Sequence, residues 1–197
     1  MSSMQLIFSL KDLYIKNDYS ISRQIEQIIL DQLRLLYNVE EKDVDISQGC
    51  NSAYDFRMLN KLFELKIMST SYYNIEISRA NGQPSGLSSS KADYYIIVNP
   101  GSLYQKEVMK IRIVATGDLR QAVQQSTKVR IYEPNANNSL GSVCHQLDPK
   151  TLLHDFVGTF PITDKIDGDY YIDFAGINFF PLGRFCSLNI QHQLRQL

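Results

Sequence analysis

Residues 53–68 read AYDFRMLNKLFELKIM, a stretch in which Asp55, Glu64 and Lys66 stand among apolar side chains. Successive side chains of a strand point to opposite faces of the sheet. Glu64 and Lys66 are therefore expected on one face, with Leu65 on the other face, in a core. This placement of charged groups beside a buried strand organises the rest of the chain.

A hairpin is predicted around this strand. The pair Asn60–Lys61 is a plausible turn between the strand that carries Asp55 and the strand that carries Glu64. Antiparallel pairing of the two strands would bring Asp55 towards Glu64 across the sheet.

Such a hairpin supports a specific chemistry. Carboxylates that converge at the end of a sheet form a hard-oxygen site of the kind that holds Mg²⁺, for which Mn²⁺ can substitute. An ammonium beside that site orients water and stabilises negative charge that develops on a phosphate. Lys66 beside Asp55 and Glu64 therefore fits phosphodiester hydrolysis.

The order of these residues resembles the PD-(D/E)xK nuclease superfamily, whose pattern is an acidic residue, a gap, and Glu-x-Lys on the following strand. Asp55 and then Glu64-Leu65-Lys66 occupy those places, with Tyr54 where the eponymous proline would stand. Residues 74–77, 84–87 and 92–95 extend the likeness to phage-type and restriction-like nucleases, and it covers roughly residues 20–126.

The resemblance implies an α/β fold with a restriction-endonuclease-like core, in which helices flank a mixed central sheet. Residues 1–130 would form this core, and residues 131–197 an irregular, β-rich C-terminal extension packed on the same domain. At 197 residues and 44% hydrophobic content, the chain suits one substantial core rather than two full domains.

The resemblance also assigns roles to residues. Asp55, Glu64 and the backbone carbonyl of Leu65 would bind the metal, Lys66 would position the water, and Glu26 would be an accessory catalytic acid on the first helix. From its position beside the apolar stripe of that helix, Glu26 reaches the rim of the site or stays in solvent. Three further residues would support the site or face the substrate: Glu76, Ser85 and Asp93.

The net charge of -1 gives no global attraction to nucleic acid, but the charge is unevenly distributed. Residues 101–130 carry six basic and two acidic side chains, whereas residues 11–55 carry five basic and nine acidic ones. A solvated face of mixed charge is the alternative explanation. The side chains expected to contact DNA phosphates are Arg79, Lys91, Lys106, Lys110, Arg120, Lys128 and Arg130.

Other chemistries have less support in the sequence. Three cysteines without CxxC spacing argue against a disulfide framework or a zinc site, and no Walker or Rossmann motif is present. His145 and His154 have no metal-type spacing. Residues 1–10 lack the basic and long apolar segments of a signal peptide or membrane span, so we expect a cytoplasmic protein that does not bind membranes, in a bacterial or phage-infected cell.

Secondary structure is predicted most clearly at the start of the core. Apolar residues at helical spacing predict a helix from Ser20, as N-cap, to about Tyr37. Alternation or apolar runs predict strands at 44–46, 72–78, 92–98 and 107–115, and Thr116 is predicted to cap a helix that ends near Gln125.

The sequence thus predicts a Mg²⁺-dependent endodeoxyribonuclease, with a homodimer as a reasonable form if both strands of a duplex are cut. The alternative is a non-catalytic nucleic-acid-binding or assembly module that keeps the nuclease fold. DNA or RNA, and duplex, branched or single-stranded substrates, all remain open at this point.

Overall fold

The computed structural model describes residues 19–47, 53–68, 72–99, 109–135, 139–152, 156–160, 162–166, 169–172 and 178–181. Lys106 and His154 lie outside these ranges, as do residues 107 and 108 of the predicted strand 107–115. Lys110 is described only by its position in a strand.

Two α-helices and twelve strands are formed by the described residues. The helices are α1 (Tyr19–Tyr37) and α2 (Thr116–Gln125). The strands are β1 (Asp45–Ile46), β2 (Phe56–Met58), β3 (Lys61–Ile67), β4 (Tyr73–Ser78), β5 (Tyr94–Asn99), β6 (Met109–Ala115), β7 (Val129–Tyr132), β8 (Ser142–Leu147), β9 (Phe156–Phe160), β10 (Ile162–Ile166), β11 (Asp169–Ile172) and β12 (Asn178–Pro181).

Helix α1 forms because apolar residues recur every three to four positions along it. Ile25, Ile29 and Leu33 are buried and face the sheet, which accounts for most of the stability of such a helix. After Tyr37 the chain leaves the helix at Asn38, whose φ of 52° is the left-handed conformation that commonly ends helices. The predicted helix is confirmed, but it begins at Tyr19, so Ser20 lies inside the first turn and is not its cap.

The larger sheet is mixed, with the strand order β1-β2-β3-β5-β6-β9-β12. Of the pairings between its described strands, that of β3 with β5 is parallel and the others are antiparallel. The predicted α/β class is therefore confirmed. Strands β9 and β12 belong to this sheet, so the C-terminal part of the chain completes it.

A smaller sheet of order β4-β8-β7 contains strands from both sides of residue 130, the boundary that the sequence suggested. That boundary falls within β7 itself. A separate antiparallel pair is formed by β10 and β11.

The two faces of the larger sheet cover two cores. On one face Phe63 and Leu65 pack with α1, while on the other face Ile97 packs with Ile75 of β4 and Leu119 of α2. Because side chains alternate along β3, Glu64 and Lys66 lie on the second face, beside the smaller sheet.

The hairpin of β2 and β3 has the predicted antiparallel pairing, with Phe56 opposite Phe63 and Met58 opposite Lys61. Its turn lies one residue earlier than predicted. Leu59 and Asn60 are the central residues, with φ of 54° and 58°, as in the type I′ turns that match the twist of paired strands.

Helix α2 begins where predicted, but its cap differs. Ala115 occupies the N-cap position without a side-chain hydrogen bond, and the Thr116 hydroxyl is buried without a hydrogen-bond partner among the described residues. The helix is held instead by its buried apolar residues Leu119 and Val123. No helix in the described ranges has the length and apolar character needed to cross a membrane.

Replacing Phe63 with alanine should cost about 3 to 5 kcal/mol of unfolding free energy, because the ring is fully buried between two others. Its centroid lies 5.0 Å from that of Phe56 and 5.7 Å from that of Tyr94. Chemical denaturation would measure the loss. Leu35→Ala is the control, because Leu35 is 75% exposed; equal losses in both variants would contradict this assignment of the core.

Candidate functional site

Asp55, Glu64 and Lys66 form one cluster at the hairpin. The Leu65 N–H donates to Asp55 Oδ2 at 2.6 Å, which fixes the Asp55 carboxylate beside β3. On the same strand, Lys66 Nζ lies 2.5 Å from Glu64 Oε1. The structure therefore brings together the three principal residues that the sequence singled out.

Glu64 is held in a poorly solvated position, with only 7% of the residue exposed. Burial raises the pKa of its carboxyl group; Lys66 opposes this increase, and the Asp55 charge adds to it. Lys66 binds Oε1, but Oε2 is buried and has no hydrogen-bond partner among the described residues. A buried oxygen of this kind is costly unless something binds it, so it is a ready position for a cation.

Lys66 is a stable cation in this arrangement. Burial opposes its charge, but the Glu64 and Asp55 carboxylates outweigh burial and raise the pKa of Lys66 above its ordinary value. Lys66 is thus protonated at neutral pH. It can donate hydrogen bonds and stabilise negative charge, but it is not poised to remove a proton while paired with Glu64.

Glu26 on α1 belongs to the same electrostatic environment. Burial raises the pKa of Glu26; Arg23, whose Nη1 lies 3.0 Å from Glu26 Oε2, opposes the increase, and Asp55 adds to it. The charges of Asp55 and Lys66 both act on Glu26. Its ion pair is with Arg23, so a role of Glu26 at the rim of the site stays a prediction.

The available ligands suit a hard cation such as Mg²⁺ or Mn²⁺. Asp55 and Glu64 supply carboxylate oxygens, and the Leu65 carbonyl between Glu64 and Lys66 is a further oxygen. Within the described ranges, no three Asp, Glu, His or Cys side chains lie close enough together to hold a metal ion by themselves. Mg²⁺ commonly uses only one or two protein carboxylates and completes its shell with water and phosphate, so this small set still fits it.

A cavity of about 760 Å³ opens beside Glu64 and Lys66. It lies between the larger sheet, the smaller sheet and the segment that connects β4 to β5. Its wall is largely polar. Its lining includes Glu64, Lys66, Asn74, Glu76, Arg79, Ser85, Tyr95 and Cys144.

Glu76 and Ser85 shape the wall of this cavity. The Ser85 hydroxyl donates to Glu76 Oε1, and Arg79 Nη1 lies 3.5 Å from the same oxygen. Gly86 follows with φ of 53°, and a Cβ at this position would lie only 2.4 Å from the Glu76 carbonyl oxygen. The segment can approach β4 so closely only with glycine there. Glu76 is thus engaged with Ser85 and Arg79, at the border of the cavity.

Asp93 has a structural position at the start of β3 and β5. Its Oδ2 accepts a hydrogen bond from the Leu62 N–H at 2.9 Å, and its Oδ1 lies 3.9 Å from Lys61 Nζ. Asp93 is not among the residues that line the cavity. A role towards the substrate stays a prediction.

The basic residues expected to contact DNA are spread over several elements. Arg79 pairs with Glu76, and Arg120 Nη2 donates to the Ser90 carbonyl at 2.9 Å, which holds the connecting segment against α2. Lys91 is exposed on that segment. Lys128 and Arg130 are both exposed, two residues apart at β7.

Tyr95 is a site residue that sequence reasoning missed. It stands directly opposite Glu64 in the parallel pairing of β3 with β5, and it lines the cavity. Burial raises the pKa of Tyr95; the Ser90 hydroxyl opposes the increase, and Glu64 adds to it. Alternation along residues 94–98 indicates that Tyr95 and Ile97 share a face, but only the strand register shows which face that is.

Comparisons with protein-family models, with curated proteins and with solved structures give no match to this chain.

Lys66→Met should destabilise the metal-free protein by roughly 1 to 3 kcal/mol at neutral pH, because it leaves the buried Glu64 carboxylate without a partner. The loss should be smaller than for a fully buried pair, since the Lys66 side chain is 44% exposed. Chemical denaturation of the variant and of Lys66→Met/Glu64→Gln would test this, with the double variant recovering most of the loss. Lys61→Met on the same strand is the control and should have little effect, because its contact with Asp93 is long.

Divalent-cation binding should weaken as the pH falls, and the weakening should begin above the pH range in which an ordinary glutamate titrates, because the pKa of Glu64 is raised. Because the pKa of Glu64 is raised in the folded, metal-free protein, folding favours the protonated carboxyl group. The resulting contribution to stability is fully present below the ordinary glutamate pKa and is lost as the pH rises through the raised value. A cation requires the ionised form, so its affinity follows the opposite trend. Calorimetric titration with Mn²⁺ at several pH values would measure this, and Glu64→Gln should give weak binding with a flatter pH dependence; pH-independent binding by the unmodified chain would contradict it.

Proposed function

We propose that this protein is a divalent-metal-dependent nuclease with a restriction-endonuclease-like core, which hydrolyses phosphodiester bonds of DNA. The observation that carries the proposal is the convergence of Asp55, Glu64 and Lys66 on one hairpin, where one buried Glu64 oxygen has no hydrogen-bond partner in the described part of the chain. Carboxylates and an ammonium in one poorly solvated site are the groups that phosphoryl transfer requires.

The surroundings of the hairpin support the core assignment. Helix α1 packs on one face of a mixed sheet, the Glu-x-Lys strand β3 lies inside that sheet, and Glu26 of α1 shares the electrostatic environment of the site. These features support the proposal of a restriction-endonuclease-like core.

Asp55, Glu64 and the Leu65 carbonyl would hold Mg²⁺ or Mn²⁺. When bound, the ion would supply positive charge against the charge that develops on the phosphate and would act as a Lewis acid. The chain contributes the position of these oxygens, which the Leu65 N–H to Asp55 bond and the pairing of β2 with β3 fix before substrate arrives.

Lys66 changes its role when the Glu64 charge is satisfied by another partner. Loss of the Glu64 contact would remove the largest of the effects that raise the pKa of Lys66, while the opposing effect of burial would remain, so the pKa would fall relative to the paired state. The Nζ group is also released to donate a hydrogen bond to the attacking water or to a phosphate oxygen. Glu26, whose pKa burial raises, would be the accessory acid on α1.

A non-catalytic nucleic-acid-binding or assembly module is the second candidate. The short contact of Lys66 with Glu64 favours it, because two groups that neutralise each other are also consistent with a purely structural ion pair. A homodimer, reasonable for cutting both strands of a duplex, stays a prediction from the sequence.

Nuclease assays separate the two candidates. Plasmid, linear duplex, branched and single-stranded DNA would be incubated with the protein in Mg²⁺, in Mn²⁺ and in chelator. We expect cleavage that needs the cation and falls by about 10²-fold or more in Lys66→Ala, because a charge-stabilising donor is lost. Asp55→Asn should fall similarly and bind Mn²⁺ more weakly in calorimetry.

Lys61→Ala is the matched control, since Lys61 lies on the same strand and contacts Asp93 rather than Glu64. Cleavage that survives chelator or Lys66→Ala would refute the proposed site. Absence of cleavage of all four DNA forms, with a folded protein, would favour the binding module.

A further inference from the structure

One face of the smaller sheet continues from the cavity to the edge of the protein. Glu76 of β4 pairs with Cys144 of β8, and Cys144 pairs with Arg130 of β7, so these three residues form a row across the sheet. Glu76 and Cys144 line the cavity. Directly opposed residues share a face, so Arg130 extends this wall beyond the cavity, to the edge strand.

A second row of residues crosses the smaller sheet beside the first. Asn74, which lines the cavity, pairs with Gln146, and the Gln146 side chain donates to Asn74 Oδ1 at 3.0 Å. The Gln146 N–H donates to the Lys128 carbonyl at 2.8 Å. Lys128 is two residues before Arg130, so the alternation of side chains places both cations on the same face.

Each of these cations lies over an aromatic ring. Lys128 Nζ lies 5.3 Å from the centre of the Tyr72 ring, and Arg130 Cζ lies 5.0 Å from the centre of the Tyr132 ring. Tyr72 is 41% exposed, and Lys128 and Arg130 are exposed. We refer to Tyr72, Lys128, Arg130 and Tyr132 as the basic-aromatic strip.

We infer that the basic-aromatic strip binds a single strand of nucleic acid and leads it into the cavity beside Glu64 and Lys66. Cations attract the phosphates of any nucleic acid, but aromatic rings beside them, here the exposed Tyr72 and the half-buried Tyr132, can stack only on bases that are not already stacked inside a duplex. Glu76, the carboxylate in the Arg130 row, is engaged by Ser85 and Arg79 and so opposes phosphate binding less than a free carboxylate would.

The size and lining of the cavity suit a single strand of nucleic acid. Its volume of about 760 Å³ is that of a site for a small organic ligand, and its polar lining offers hydrogen-bond partners to sugar, phosphate and base. That the bound strand is also the substrate depends on the proposed nuclease function. The binding preference of the strip does not depend on it, because binding is measurable without cleavage.

Fluorescence anisotropy in chelator tests the inference. The probe is a labelled DNA strand of about 20 nucleotides, longer than the roughly 4 to 16 that one single-strand site covers, compared with the same sequence as a duplex. We expect the single strand to bind at least about tenfold more tightly. Tyr132→Leu should weaken single-strand binding roughly 5- to 150-fold, the range for losing one stacked base, while duplex binding changes little.

Arg130→Gln should also lower the dependence of single-strand affinity on salt, by about 0.7 in the logarithmic slope. Ile131→Thr is the matched control. Ile131 is 61% exposed on the same strand, but its side chain points to the opposite face, so single-strand affinity should be unchanged.

The outcomes separate this inference from the nuclease proposal. Duplex bound as tightly as single strand, or equal losses in Tyr132→Leu and Ile131→Thr, would overturn the inference whatever the nuclease assays give. A change of oligomeric state in Tyr132→Leu without loss of DNA affinity would also overturn it, in favour of a protein interface. Single-strand binding that depends on the strip, without cleavage in Mg²⁺ or Mn²⁺, would support the inference while the nuclease proposal fails.

Discussion

The hydrogen bond from the Leu65 N–H to the Asp55 carboxylate connects the fold to the candidate site. Its partner across the hairpin is the bond from the Asp55 N–H to the Phe63 carbonyl, at 2.8 Å. Together they fix the register of β2 against β3. A slip of one residue would turn Glu64 and Lys66 into the α1 core and Leu65 into the cavity, so the register is a condition for both the core and the site.

The site places carboxyl groups in poorly solvated positions, where their charged forms are unfavourable. Burial raises the pKa values of Glu64 and Glu26, the nearby Asp55 charge adds to this, and Lys66 offsets part of it. Such an arrangement is less stable than an apolar one of the same shape, and it is typical of functional sites. The segment beside the site is held by close contacts. Gly86 packs directly on the Glu76 backbone, and Arg120 donates a hydrogen bond to the Ser90 carbonyl.

Local sequence patterns were sufficient to predict several elements of the fold. Most of the features that were missed depend on pairing between strands that are distant in sequence. The periodicity of α1 and the alternation of β3 were sufficient to predict both elements and the meeting of Asp55 with Glu64. The turn was misplaced because Leu59 adopts a positive φ, which is rare for such a residue. Tyr95 was missed because the parallel register of β3 with β5 places it opposite Glu64, and the basic-aromatic strip was missed because it needs the pairing of β8 with both β4 and β7.

The parallel pairing of β3 with β5 has a consequence for how this site could evolve. Two parallel neighbours need a long crossover, and here the crossover contains β4 and the segment that walls the cavity. The strands that position Asp55, Glu64 and Lys66 are thus separate in sequence from residues 79–91, in which Gly86 is fixed by its close approach to Glu76. Under the proposed nuclease function, insertions or deletions in this crossover would change the shape of the cavity, and with it the substrates admitted, while the hairpin keeps Asp55, Glu64 and Lys66 in place.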